Sequence, residues 1–206
     1  MTTKGQKKPR AKRTDDELYR ASLEVQFEVA MLGNTLQQLL DSTTGFTSSR
    51  NERLKSNLLL HSFLLASRNL LAFLYSHDPR LTDLIAEDFF DSPSDWRRVR
   101  PSVAVEVTDG TISGNISKRL AHLTWDRTEK KSTWGAFAVA WVITGAMREF
   151  VRSVLPARMA PQLLADAELA HSALSKIMDE HSVTEASIGP LSGECPYTSF
   201  DLQGLW

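Results

Sequence analysis

The sequence predicts an all-α protein: a bundle of about five main helices between a basic N-terminal stretch and an irregular C-terminal one. Three observations predict it. Ten glycines and eight prolines in 206 residues are sparse punctuation. Apolar residues recur at three- and four-residue spacing over long stretches. The breaks between those stretches carry helix start and stop signals.

The first helix opens at Thr14, with Glu17 at capping-box spacing and acids suited to the positive end of the helix. Leu18, Ala21, Val25, Val29, Leu32, Leu36 and Leu39 then form one apolar stripe to about Asp41. "DSTTGFTSS" is a loop, and Ser49 with Glu52 repeats the capping spacing for a second helix that runs to about Ser76. "HDP" ends that helix, because the residue before proline avoids the helical region. Asp78-Pro79 opens a short helix near Arg80 to Phe89. "FFDSPSDWRRVRP" reads as a loop with at most a turn around Trp96.

"SVAVEV", Ser102 to Val107, alternates like a strand but also fits a helix continuing from Pro101. Thr111 to Trp125 reads as helix. Ser132 or Thr133 caps the apolar helix that ends near Leu155-Pro156. A last helix covers Ala160 to His181, with Leu163, Leu164, Ala167, Ala170, Leu174, Ile177 and Met178 inward. Links between the helices are mostly short. The domain division is therefore a disordered basic tail at 1–13, one bundle over 14–183, and an irregular tail at 184–206. In that last tail Phe200, Leu202, Leu205 and Trp206 could strap onto the body or onto a partner.

Net charge is −1 but unevenly placed. Six cations from Lys4 to Arg13 stand with no acid, so the rest of the chain is acidic. Such a tail could touch RNA or an acidic partner, or simply keep the chain in solution. Cys195 is the one cysteine, so no internal disulfide forms; together with the absence of a signal peptide at the start, this leads us to expect a cytoplasmic protein. The most apolar stretch, Trp134 to Met147, is too short for the roughly 20 residues of a membrane span, and no membrane partner is expected.

"NLLLHSFLLASRNLLAFLY", Asn57 to Tyr75, poses the functional question, for it sets His61, Arg68 and Asn69 into a helix that looks made for the core. At 100° per residue Leu54, His61, Leu65, Arg68 and Ala72 fall on one line. A guanidinium set there must reach solvent at a cleft, find an acid, with Glu28, Asp88 and Asp126 as candidates, or bind an anion. His61 could equally donate to a backbone carbonyl. A second polar line holds Asn115, Arg119, His122 and Asp126 on one edge of a later helix, with Arg127 closing the segment. It reads either as a solvated edge or as an imidazole oriented by Asp126. If the two helices face each other, Arg68, Asn69 and His122 meet in one cleft. Those parts suit metal-free phosphodiester cleavage, with histidine moving the 2′-hydroxyl proton and arginine steadying charge on phosphate.

At "SRNLLAF" and "NISKRLAHLTWDR" the chain resembles bacterial helical proteins that pair an Arg-Asn segment with a later histidine segment, and more distantly HEPN domains. Arg68-Asn69 matches the front of the HEPN motif, whereas His77 stands outside its histidine spacing and His122 lies on another helix. The resemblance implies a helical bundle, a homodimer, RNA binding, and ribonuclease activity of a toxin or defence type. In that reading Arg68 and His122 are catalytic, and His61, Asn69, Asn115, Arg119 and Arg127 bind substrate. The other reading is a non-catalytic helical interaction protein whose polar lines are structural. The scattered histidines show no metal-ligand spacing, and no glycine-rich phosphate loop exists, so neither metal nor cofactor is expected.

Overall fold

The computed structural model describes residues 10–43, 50–76, 78–103, 114, 116–117 and 136–180. It is an all-α bundle. Helix α1 spans Asp15–Thr43, α2 Arg50–Leu74, α3 Pro93–Val99, α4 Ala136–Ser153 and α5 Pro161–Glu180. Single 3₁₀ turns occur at Ala86–Phe89 and Pro156–Arg158. Gly114, Ile116 and Ser117 are helical, as expected for Thr111 to Trp125; the rest of that segment lies outside the described residues.

The capping box at Thr14 forms in full. The Thr14 amide donates to Glu17 Oε2 at 2.9 Å, and the Glu17 amide donates back to Thr14 Oγ1 at 3.2 Å. The expected stripe of α1 is buried from Leu18 through Val25, Val29, Leu32 and Leu36 to Leu39, with Ala21 at its margin. On α5 Leu163, Ala167, Ala170 and Leu174 are buried as expected, but Leu164 is exposed.

Helix α1 packs along α2 and α5, and α4 packs along α5 and α2, so α1 and α4 occupy one diagonal of a four-helix arrangement. Glu28 meets Asn69 across the antiparallel pair α1–α2. Ala160 donates to Ser22, and Gln26 to Asp166, so α5 runs in the same direction as α1. Phe73 near the end of α2 and Phe150 near the end of α4 meet in one cluster, so these two helices also run alike.

One end of the bundle is closed by aromatic rings. Phe150 stands at its centre, edge-on to Phe73 at 5.0 Å, Phe89 at 5.3 Å, Trp96 at 5.7 Å and Phe90 at 6.1 Å. Trp96 is fully buried, and its indole N–H donates to the Leu74 carbonyl at 2.9 Å, capping the open C-terminal end of α2. Beside it, burial pushes the Tyr75 phenol up to about 12, slightly opposed by the Arg100 charge. The Arg100 guanidinium lies 5.5 Å from the Tyr75 ring centre.

The segment read as a loop around Trp96 is therefore helix α3. Ser92 caps it, Pro93 starts it, and Asp95 and Arg97-Arg98 sit at the ends that suit their charges. Seven residues are too few to show a period in sequence. The helix expected over Arg80 to Phe89 is largely absent. Asp83 turns back to accept from the Arg80 amide at 2.8 Å, and the Arg80 and Asp83 carbonyls accept from the Arg10 guanidinium. Only Ala86–Phe89 makes a helical turn. Its Glu87 is held to α3 by the Arg97 fork at 2.6 and 2.8 Å.

Two arginines rivet this end. Arg158 is 8% exposed and joins three segments: Nε to Asp15 at 2.7 Å, Nη1 to the Phe89 carbonyl at 2.9 Å, and Nη2 to Asp91 at 2.8 Å. Arg10 binds Asp88 through Nε at 3.0 Å and Nη2 at 2.6 Å. Of the basic stretch, residues 10–13 lie within the described structure; Arg10 is anchored there, and Arg13 pairs with Glu17 at 3.5 Å.

Replacing Phe150 by Ala removes the hub ring and should lower the unfolding free energy by about 3–5 kcal/mol in a denaturant titration. The hydrogen bond from Arg158, and then its charge, hold the Asp91 carboxyl below its ordinary range. The stability from that pairing is present above the ordinary carboxylate pKa and is lost as pH falls through the lowered one. Asp91→Asn should therefore be less stable than wild type at neutral pH and converge with it in acid. Identical acid slopes for the two would show that the pairing adds nothing to the native state.

Candidate interaction surface

The wheel of α2 is as expected, but its line of Leu54, His61, Leu65, Arg68 and Ala72 points outward, and the exposed Leu58, expected beside that line, joins it as a sixth member. Successive members are spaced four, three, four, three and four, the heptad spacing of a helix–helix seam. Leu54 is 58% exposed, Leu58 61% and Leu65 47%. The opposite side supplies the core through Leu60, Phe63, Leu64, Leu70, Phe73 and Leu74. Helix α2 is long and apolar enough by length and composition to cross a membrane, yet half of its apolar window is buried inside the bundle.

This corrects the reading of Arg68 as a guanidinium sunk among leucines. Arg68 is exposed and makes no hydrogen bond or ion pair among the described residues. The side chain that does face a neighbouring helix is Asn69, whose Nδ2 donates to Glu28 Oε1 at 2.8 Å. Glu28, proposed as an acid for Arg68, thus joins α1 to α2 through an amide instead. Asp88, the second candidate, is taken by Arg10. His61 is half-buried and engaged. Asn115, Arg119, His122, Asp126 and Arg127 lie outside the described residues, so the Arg68–His122 cleft has no geometry here.

Cations border the α2 stripe. Arg50 and Arg68 fall about 40° to one side of Leu54 on the wheel and Lys55 about 100° to the other. All three are exposed. The helix carries one acid, Glu52, on the side away from the stripe. The face is thus apolar along its middle and positive along its edges.

An opening of about 300 Å³ lies between α1 and α5 over a floor from α4, lined by Val29, Gly33, Gln37, Thr144, Asp166 and Leu169. Thr144 Oγ1 lies 3.1 Å from His171 Nδ1, and the His171 ring lies against Trp141 with centres 4.5 Å apart and planes tilted by 33°. The relation of Thr144 to His171 is not legible in the sequence, because residues 27 apart meet only when α4 packs on α5. Among the described residues no three His, Cys, Asp or Glu side chains converge as a metal would require.

No family model, no curated protein and no solved structure matches this chain. Its function is therefore argued from the surface itself.

The different settings of Arg68 and Asn69 can be read in stability. Arg68→Ala should change the unfolding free energy by less than about 0.5 kcal/mol, as an exposed side chain does. Asn69→Ala should cost about 1 kcal/mol, because it removes the amide that answers Glu28. Thermal or denaturant melts compare the two; a larger loss for Arg68→Ala would restore the buried reading.

Proposed function

We propose that this chain is a non-catalytic helical interaction protein, and that the outer stripe of α2 is the face it presents. The supporting observation is the exposed heptad line of Leu54, Leu58 and Leu65 beside three exposed cations with no acid among them. Side chains that large, placed in register along one helix, lose water-exposed apolar area when a second apolar segment lies on them. The charged rim selects that segment: it should carry leucine- or aromatic-type residues along one side and carboxylates along its edges. An acidic partner also suits the basic stretch from Lys4, where Lys4, Lys7, Lys8 and Lys12 add to the same sign of charge.

The ribonuclease reading needs Arg68 and His122 together, and what supports it is sequence resemblance alone. Arg68 by itself is a solvated cation able to meet phosphate as readily as carboxylate.

Random-peptide display against the full chain tests the proposal. Enriched peptides should be rich in acids and large apolar residues, and should lose binding to a Leu58→Asp/Leu65→Asp variant. Enrichment without acids, or binding unchanged in the variant, would remove α2 as the docking face. In parallel, labelled RNA incubated in chelator should stay intact. Cleavage that disappears in both Arg68→Ala and His122→Ala would replace the interaction reading by the nuclease one.

A further inference from the structure

We infer that the chain carries its own occupant for this face: residues 181–206 lie over the α2 stripe, their apolar residues on Leu54, Leu58 and Leu65. The inference deepens the proposal that α2 is a docking surface and rests on it. Three observations carry it.

The first is charge. Residues 181–206 contain Glu185, Glu194 and Asp201 and no lysine or arginine. They have the sign that Arg50, Lys55 and Arg68 require. The opening between α1 and α5 has the opposite preference, since its charged lining residue is Asp166. Like charges there would oppose the same segment that the α2 rim attracts.

The second is composition. Phe200, Leu202, Leu205 and Trp206 place four large apolar side chains within seven residues, with Asp201 between the first two. That is the combination the α2 face selects: apolar along the contact and acidic beside it.

The third is reach. Helix α5 runs parallel to α1 and α2 antiparallel to it, so α5 ends at Glu180 at the end of the bundle where α2 begins with Arg50 and Leu54. Helices α2 and α5 lie on the other diagonal, about 14 Å between axes if neighbours are about 10 Å apart. From Glu180 to Phe200 an extended chain spans up to about 65 Å. It can pass around the bundle and then follow α2 from Leu54 to Leu65, about 16 Å further along the axis. A tethered segment also faces an effective concentration far above that of a free one, so weak contacts suffice to hold it. An external partner must then displace the chain's own segment, which makes the segment an internal competitor.

Cys195, the sole cysteine of the chain, permits a direct test in the full-length protein. A nitroxide on Cys195 should bleach amide signals of residues 50–65 in ¹⁵N-labelled protein and spare those of Gly33, Ala173 and Leu174. The bleaching should vanish in Phe200→Ser/Leu202→Ser, and separately in Leu58→Asp/Leu65→Asp. Leu58 and Leu65 lie outside the core, and unchanged signals from α4 and α5 verify the fold of both double variants. Uniform or absent bleaching of α2, or bleaching that survives both variants, would overturn the inference. Mixing ¹⁵N-labelled Cys195→Ser chains with unlabelled spin-labelled ones should bleach nothing. Bleaching in the mixture would show the segment seated on a second copy and overturn the intramolecular assignment. The docking surface and its occupant fail separately: acidic peptides can bind α2 while the segment lies elsewhere, and the segment can lie on α2 when display selects no peptide.

Discussion

The packing of Phe73, Phe89, Phe90 and Trp96 around Phe150 is the contact on which the rest of the bundle depends. It brings the ends of α2 and α4 together and ties in α3 and the Ala86–Phe89 turn, which are too short to stand alone. Aromatic rings are large enough that a few of them can seal a bundle end, and their edge-to-face geometry fixes how the helices meet. The polar contacts around the cluster follow from it. Once Trp96 is buried, its N–H needs an acceptor, and the open carbonyl of Leu74 needs a donor. Arg158 then closes the outside of the cluster by holding the start of α1 and the residues after the 3₁₀ turn in one guanidinium fork.

This end also explains where buried charge is tolerated. Arg158 is covered by its own partners near the surface, so its carboxylates keep contact with water while its guanidinium does not. A charge placed so pays little desolvation on one side and keeps all its hydrogen bonds on the other. Arg68 has no such setting. It extends from the outer face of α2, where solvent does for it what Asp15, Asp91 and a carbonyl do for Arg158.

Helix α2 has two unlike faces. Its inner leucines and phenylalanines fill the core, and Asn69 registers it against α1 through Glu28. Its outer leucines do neither. A soluble surface tolerates isolated apolar side chains, but a heptad line with a cationic border is a shape as well as a composition.

Much of the fold was legible from residue order. The Thr14–Glu17 box, the α1 stripe and the presence of α2, α4 and α5 follow from local hydrogen-bonding options and a 3.6-residue period, which the chain displays without reference to anything distant. The short elements were not legible to the same degree. Arg80 to Asp83 turns because Arg10, some 70 residues earlier, binds its carbonyls, and α3 is held by the ring it buries. The α2 wheel placed His61, Leu65 and Arg68 on one line correctly, yet a wheel states which residues share a face and not which way that face looks. A helix with leucines nearly all round can be buried on every side or on one, and only its neighbours decide. Local periodicity is thus a property of the sequence by itself, whereas the outward setting of the stripe, the pairing of Asn69 with Glu28 and the exposure of Arg68 depend on contacts between residues far apart in the chain.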